Sequence, residues 1–176
     1  MKILLNKRSL LKISGSDAEI FLQNQFSNDI GKLKKAEIQF NAYCQHQGKI
    51  IALFWVMRHK DSFLLSFPED LAEKVVARLK IFVIMSDVQI DDISKQYRQI
   101  GLLNEKNSNA YSITENLSLL ISSKDQSKVE ITSHQDELIR SCIVSQIPEV
   151  YLTTSEKLVP QMRNLDIDEF GVNFSK

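Results

Sequence analysis

The chain has 176 residues, of which 43% are hydrophobic, and its 22 basic residues balance 22 acidic ones. This length and composition suit one large domain, or two small ones that share an interface. The zero net charge disfavours a protein that coats nucleic acid, because phosphate neutralisation needs a basic surplus, although a local patch stays open at Lys32, Lys34 and Lys35.

The first predicted elements are a short strand and an amphipathic helix. Residues Ser9–Ile13 favour a strand that ends at Gly15. Ser16-Asp17-Ala18-Glu19 then matches a capping box, in which the serine and the glutamate satisfy free amides at a helix start. Apolar residues recur behind it at helical spacing. The pattern predicts a helix from about Asp17 to Phe26.

A hairpin, a second helix and another strand follow. Ile50–Met57 is apolar throughout, as in a strand covered on both faces. A polar turn precedes Ser62–Phe67, which indicates the returning strand. Pro68 suits the first position of a helix. The helix continues as an apolar stripe at Leu71, Val75, Leu79 and Phe82. With a strand at Val88–Ile90, the order strand–strand–helix–strand predicts an α+β fold.

The last third of the chain combines short strands with one helix. Strands are predicted at Ile100–Leu103, Leu117–Ser122 and Val129–Thr132. Residues Ser133–Val144 favour a helix that begins with a Ser-x-x-Asp cap and ends before Pro148.

Cysteine usage and hydropathy predict the compartment. The two cysteines, Cys44 and Cys142, do not make a disulfide framework of the secreted kind. The first residues lack the apolar segment and cleavage site of a signal peptide, and no stretch reaches the roughly 18–20 apolar residues that span a bilayer. We therefore expect a cytoplasmic protein without a membrane partner.

Three groups of residues carry a family resemblance, and they occur in the family's order. Phe21–Asp29 reads F-L-Q-N-Q-F-S-N-D, and Ala42–Ile50 reads A-Y-C-Q-H-Q-G-K-I. The third group lies near the end of the chain: Ile147-Pro148, Pro160-Gln161, Asn164-Leu165-Asp166 and Gly171–Lys176. Together they resemble the YgfZ-type proteins, which are relatives of the glycine-cleavage T-protein.

The resemblance implies a fold, and the sequence departs from the family pattern at two positions. It implies two interleaved ferredoxin-like units as in the T-protein, the first formed by residues 1–30 and 97–176 and the second by residues 31–96. It also implies a C-terminal β-barrel after the signature K-G-C-Y-x-G-Q-E, which this sequence reaches only as far as its lysine. Gln146 and Leu138 stand where the family has a glycine and a tryptophan.

The resemblance also implies a function. The family binds tetrahydrofolate and supports the assembly or repair of iron–sulfur enzymes, including some that modify tRNA, so reduced folate and such client enzymes are the expected partners. A folate-dependent aminomethyltransferase is the alternative. The T-protein relies on an aspartate in the strand after the glycine turn, whereas Gly48–Leu53 contains no acid. A structural module that binds neither folate nor an aminomethyl donor stays open as a third class.

The predicted folate pocket has strands near Cys44–Val56 as its floor and residues 160–176 as its rim. Lys176 matches the signature lysine. Lys49 offers an ammonium to the glutamate tail of folate, or is an exposed turn residue. Cys44 is a thiol near the pocket, or a small buried residue at a strand edge.

Three further polar residues complete the predicted site. Gln161 and Asn164 can each donate to and accept from a pterin edge, or they cap a loop. Asp29 orients the backbone of the pocket, or serves a turn. We assign no catalytic residue and no metal site, because Cys44 and His46 lack further ligands at suitable spacing.

Overall fold

The computed structural model describes residues 1–125 and 129–163, without the side chains of Gln135 and Arg163. Within these ranges the chain forms nine β-strands and three α-helices. In chain order they are β1 (Lys2–Leu4), β2 (Arg8–Ser14), α1 (Ala18–Gln25), β3 (Gln39–Cys44), β4 (Ile50–His59), β5 (Ser62–Pro68), α2 (Ala72–Ile81), β6 (Gln89–Asp92), β7 (Tyr97–Leu103), β8 (Tyr111–Ser112), β9 (Leu117–Ser123) and α3 (Gln135–Val144).

A five-stranded antiparallel sheet with the order β3-β4-β5-β2-β6 forms the centre of the fold. Successive side chains of β4 point to opposite faces of this sheet. Phe54 and Val56 pack in one core with α1 and α2, whereas Trp55 and Met57 pack in a second core. Both faces of β4 are therefore covered, which explains its unbroken apolar run and confirms the predicted buried strand.

A four-stranded antiparallel sheet with the order β1-β7-β9-β8 supplies the other side of the second core. Leu119 of β9 and Leu138 of α3 join Leu10, Trp55 and Leu64 of the five-stranded sheet there. Gly101 of β7 lies against α3, since a Cβ built on it would be 2.7 Å from Leu138 Cδ1. The small residue lets the helix approach the sheet.

Most long elements agree with the sequence, and the α+β class is confirmed. Strands β2, β4, β5, β7 and β9 and all three helices lie where the patterns predicted them. The predicted strand at Val129–Thr132 is wrong. That segment has no strand, although the Thr132 amide donates to Lys2 O at 2.9 Å and Ser133 forms a single bridge with Ile3.

The predicted helix starts need correction. Ser16 does not cap α1; its hydroxyl donates to Asp87 Oδ2 at 2.9 Å, and Asp17 occupies the cap position without a side-chain bond to the helix. Ser133 does not cap α3, which is preceded by His134. Pro68 ends β5, and a 3-10 turn over Glu69–Leu71 connects it to α2. In each case a tertiary contact or strand pairing overrides the local signal.

Two folding units were predicted, the first formed by residues 1–30 and 97–176 and the second by residues 31–96. This division stays a prediction. The strand β2 of the first segment pairs with β5 and β6 of the second, so residues 8–14 belong to the same sheet as residues 62–68 and 89–92. Among residues 1–125 and 129–163, no helix is both long and apolar enough to cross a membrane.

Candidate functional site

A cavity of about 610 Å³ lies between α3 and the face of the five-stranded sheet that carries Trp55. We call it the Trp55 cavity. Apolar side chains form most of its wall, and the loop after α3 closes one side with Pro148, Glu149 and Tyr151. The volume lies within the range of about 300–1,000 Å³ that is usual for small-molecule sites.

Arg8 holds the polar part of this cavity in place. Its guanidinium carbon lies 3.9 Å from the centroid of the Trp55 ring, and its Nη1 donates to Glu149 in an ion pair. Arg8 Nε donates to Ser66 Oγ at 2.8 Å and Nη2 donates to Ser66 O at 3.0 Å. Gln99 Nε2 donates to Arg8 O at 3.1 Å, which ties β7 to the same strand. The side chain of Arg8 is 8% exposed, so its position is fixed by contacts and not by solvent.

The electrostatics of the cavity follow from this pair. Because the Arg8 and Glu149 charges offset each other, a mostly apolar wall can carry both a donor and an acceptor. Burial, together with the negative charge of Glu149, raises the pKa of the Cys142 thiol to about 11, against the opposing effect of Arg8. Cys142 is therefore a protonated apolar wall residue at neutral pH and not a nucleophile.

A second, more polar cavity of about 910 Å³ lies at the far end of the same face, near the β4–β5 turn. Its wall includes Lys12, His59 and Asp91. His59 Nδ1 lies 2.8 Å from Tyr111 Oη. Burial, with the charges of Lys60 and Lys12, lowers the pKa of His59, so the ring is neutral at pH 7. Most residues of its wall are polar or charged, whereas apolar side chains form most of the wall of the Trp55 cavity.

Asp29 lies at the start of a turn and Cys44 lies at the end of a strand. Asp29 Oδ1 accepts from the Gly31 amide at 3.1 Å, at the start of a 3-10 turn over Ile30–Lys32. Cys44 is half-buried at the end of β3, next to an irregularity in the register with β4, and burial raises its pKa to about 11. Neither residue lies in the wall of the Trp55 cavity.

Lys49 and Gln161 are exposed. Lys49 follows Gly48, whose φ of +79° fits the predicted turn, and Gln161 lies in a 3-10 turn over Pro160–Arg163. Neither lies in the wall of the Trp55 cavity. Asn164 and Lys176 lie outside the described residues. The roles predicted for these four residues, and for Asp29 and Cys44, stay predictions.

The segment just before the predicted rim lies beside the predicted floor, whereas the rim over residues 160–176 itself stays a prediction. The Ile50 amide donates to Leu158 O at 2.8 Å, and the Glu156 amide donates to Ile50 O at 2.7 Å. Ser155 Oγ donates to Ile51 O at 2.8 Å. Residues 155–158 thus lie beside the first residues of β4, beyond the end of its pairing with β5.

The prediction missed Arg8 and Glu149, which are 141 positions apart in the sequence. The sequence offered one signal for this site: Trp55, the single tryptophan, lies inside the apolar run of β4. Among the described residues, no group of three or more His, Cys, Asp or Glu side chains has the geometry of a metal site.

Comparisons with known proteins agree with this architecture. A family model described as the GCVT N-terminal domain matches residues 6–104. The chain is 27% identical to the tRNA-modifying protein YgfZ of Buchnera aphidicola subsp. Schizaphis graminum, over 98% of this chain and 64% of that protein. It is 35% identical to an aminomethyltransferase of Exiguobacterium sibiricum, over 54% of this chain and 27% of that protein.

A solved structure shows the same kind of fold. The glycine cleavage system aminomethyltransferase T from Bartonella henselae superposes with a TM-score of 0.56 at 14% identity, covering 69% of this chain and 41% of that one. The chain spans 61–64% of the length of three of the curated relatives that it matches.

Proposed function

This chain belongs to the GCVT N-terminal domain family, and on that premise we propose that it binds a reduced folate in the Trp55 cavity. The observation that carries the proposal is the cavity itself: an apolar slot of about 610 Å³ whose wall includes the ion pair of Arg8 and Glu149.

The residues of the cavity suit the chemistry of a pterin. A flat ring gains by leaving water for an apolar slot, and a few fixed polar groups then set its orientation. The edge of a pterin presents adjacent N–H donors beside a carbonyl oxygen. The Glu149 carboxylate is an acceptor and the Arg8 guanidinium is a donor, and both charged groups hydrogen-bond more strongly than neutral ones.

Fluorescence of the purified chain tests the proposal, because Trp55 is its single tryptophan. Tetrahydrofolate is titrated under reducing conditions and the emission of Trp55 is followed, with calorimetry as a second readout. We expect saturable quenching by tetrahydrofolate. The variant Glu149→Gln keeps the shape of the side chain but loses its charge, and we expect its affinity to fall about 10- to 100-fold, equivalent to about 1.4–2.7 kcal/mol.

Two further variants test whether the change in affinity is specific to the Trp55 cavity. Glu130→Gln makes the same chemical change at an exposed position outside the cavity wall, and its affinity should equal that of the parent chain. Ile139→Lys places a charge in the cavity wall at a side chain that is 45% exposed, so the core stays packed while binding is lost. Equal binding by the parent chain and Ile139→Lys would refute the proposed location.

The wider role proposed for the protein is support of iron–sulfur enzymes, including tRNA-modifying ones, in the cytoplasm. The name of the Buchnera relative, a tRNA-modifying protein, and the match to it over 98% of this chain support this role. Loss of the gene should then lower the activity of iron–sulfur tRNA-modifying enzymes without lowering the amounts of those enzymes. Unchanged tRNA modification in the deletion strain would contradict it.

Folate-dependent aminomethyl transfer is the second candidate, favoured by the 35% identity to the Exiguobacterium aminomethyltransferase. The residues of β4 do not favour aminomethyl transfer. Ile50–Met57 contains no carboxylate and is buried along its whole length, so this part of β4 offers no group to hold or move a proton. We expect no turnover of an aminomethyl donor with tetrahydrofolate under conditions where binding is measurable.

A further inference from the structure

The more polar cavity near the β4–β5 turn is lined by both sheets of the fold, and we call it the His59 cavity. Its wall takes Lys12, Leu64 and Asp91 from the five-stranded sheet and Tyr97 and Ile121 from the four-stranded sheet. Its volume of about 910 Å³ lies within the range of about 300–1,000 Å³ that is usual for small-molecule sites. Among the described residues it shares no wall residue with the Trp55 cavity, so the two cavities can hold different ligands.

The strand register places two opposite charges side by side in this wall. Lys12 of β2 pairs with Asp91 of β6 on one side and with Leu64 of β5 on the other. Residues that pair directly across strands point to the same face, and Leu64 belongs to the core that contains Trp55. Neither Lys12 nor Asp91 makes an ion pair or a side-chain hydrogen bond with another described residue. Both charges are therefore available to a ligand in the cavity.

His59 adds a neutral group at the end of the cavity that β4 forms. Its Nδ1 lies 2.8 Å from Tyr111 Oη, and Ser62 Oγ donates to His59 O at 2.8 Å, so the ring and the backbone are both held. When the Tyr111 hydroxyl donates to Nδ1, the proton of the neutral ring is on Nε2, which can then donate to a carboxylate. The charges that act on the ring are those of Lys60 and Lys12, and both are positive. This end of the cavity favours a negative group.

Asp91 gives the cavity a negative end. Two strands, β5 and β2, lie between β6 and β4, so Asp91 is separated from His59 across the sheet. The neighbouring Asp92 already accepts hydrogen bonds from the amide and the hydroxyl of Ser94. Lys60 and the adjacent Asp61 are both exposed in the turn, where their charges offset each other. The cavity is therefore dipolar, with a carboxylate at the β6 end and ammonium and imidazole groups toward β4.

We propose that the His59 cavity binds an α-amino acid with a large apolar side chain. The carboxylate of the ligand accepts from Lys12 and His59, and its ammonium donates to Asp91. Its side chain packs against the apolar residues of the wall, which are Leu64, Ile93, Tyr97 and Ile121. A ligand with a single charge meets one like charge in this wall, whereas a zwitterion satisfies both. The site is independent of the folate site proposed over Trp55.

The ring signals of His59 test this proposal on the full chain. They are followed by proton–carbon correlation spectroscopy and assigned with His59→Gln, while the exposed His46 and His134 serve as references. Leucine should shift the His59 signals saturably, with a midpoint on the order of 1 mM. Glycine, which lacks the apolar side chain, should need at least about tenfold more. If leucine at roughly fifty times that midpoint moves His59 no more than the two references, the proposal is overturned.

Two analogues of leucine each lack one charge. Isocaproate keeps the carboxylate and the side chain, and isoamylamine keeps the amine and the side chain. Each should need at least about tenfold more than leucine, because one charge-assisted hydrogen bond is lost. A midpoint for either analogue equal to that of leucine would overturn a site for both charges. Tetrahydrofolate should leave the His59 signals in place. Movement by tetrahydrofolate but not by leucine would also overturn the proposal, while leaving the folate site itself to the Trp55 titration.

Matched variants assign each charge to its partner. Lys12→Gln should raise the midpoints of leucine and isocaproate at least about tenfold without weakening isoamylamine. Asp91→Asn should do the same for leucine and isoamylamine without weakening isocaproate. Lys95→Gln and Asp125→Asn make the same chemical changes at exposed positions outside the cavity wall, and every midpoint should stay within about twofold of the parent value. Equal losses for the two analogues in either cavity variant would contradict the assignment.

Discussion

Gly15 is the residue whose identity the fold constrains most directly. Its φ is +115°, and a Cβ built there would lie 2.0 Å from Asp87 O and 2.7 Å from Asp87 C. Both atoms belong to the backbone of Asp87, and the side chain of Asp87 also accepts a hydrogen bond from the Ser16 hydroxyl. Neither atom can therefore move away at small cost. A side chain at this position therefore forces the start of α1 away from residues 86–88.

The variant Gly15→Ala should lower the free energy of unfolding by about 2–4 kcal/mol, since strain and a backbone clash combine. Urea denaturation followed by circular dichroism measures the change. Gly48→Ala is the matched control: φ is +79°, but no atom lies within 4 Å of the added Cβ. Gly48→Ala should lower the free energy of unfolding only by the backbone strain, about 1–2 kcal/mol. Equal losses in the two variants would show that the clash with Asp87 is relieved.

The residues of the candidate site were only partly predictable from the sequence. Trp55 falls in a predicted strand, but its partners come from distant segments: Arg8 from β2 and Glu149 from the loop after α3. Local patterns carry no information on such pairs, because they form only when the sheets assemble. Asp29 and Cys44 were selected by the resemblance, and their surroundings in the fold are a turn and a strand end.

At the level of elements, the contact between β7 and α3 sets the width of the Trp55 cavity. Leu138 Cδ1 would lie 2.7 Å from a Cβ at Gly101, and both Leu138 and Cys142 of the same helix line the cavity. Gly101→Val should therefore displace α3, lower the free energy of unfolding by about 1–3 kcal/mol and weaken folate binding. Urea denaturation and the Trp55 titration measure the two effects.

Gly101→Ala provides the comparison for this prediction. The contacting atom is the end of a flexible side chain, so Leu138 can rotate away from a single methyl group at small cost. Folate affinity should stay near that of the parent chain. If Ala and Val weaken binding equally, the position of α3 does not control the cavity.

Long elements were predictable because their patterns depend on burial alone. The apolar run of β4 and the helical stripe of α2 both reflect faces that the core covers. The strands β1, β3 and β8 escaped prediction, since they are two to six residues long and lie at sheet edges, where pairing and not sequence decides. The capping signals at Ser16 and Ser133 were misleading because tertiary contacts compete with capping: the Ser16 side chain donates to Asp87, and the Ser133 backbone forms a bridge with Ile3.

At the scale of the whole molecule, the five-stranded sheet separates two chemically different regions. One face carries the Trp55 cavity, which is apolar and locally neutral. The other face carries α1, α2 and the cations Lys74 and Arg78. Because β4 contributes to both cores, folate bound in the Trp55 cavity stabilises the strand that the two regions share, so it should raise the melting temperature.

The pH dependence of stability is a property of the whole chain, and its sign follows from the buried thiols. Burial raises the pKa of Cys44 and of Cys142 to about 11, above the ordinary value near 8.5. The folded chain thus holds these protons more tightly than the unfolded chain. Their contribution is fully present below about pH 8.5 and is lost as the pH rises through about 11.

We therefore expect the free energy of unfolding to fall between pH 9 and pH 11, by on the order of 1–2 kcal/mol for each thiol after allowance for partial exposure. Urea denaturation under reducing conditions at each pH measures the slope. Burial also raises the pKa of Tyr43, Tyr111 and Tyr151, so these groups add a loss of the same sign at higher pH. A Cys44→Ala, Cys142→Ala chain should keep only this tyrosine part. An unchanged slope in that chain would mean that neither thiol is shielded from solvent in the folded state.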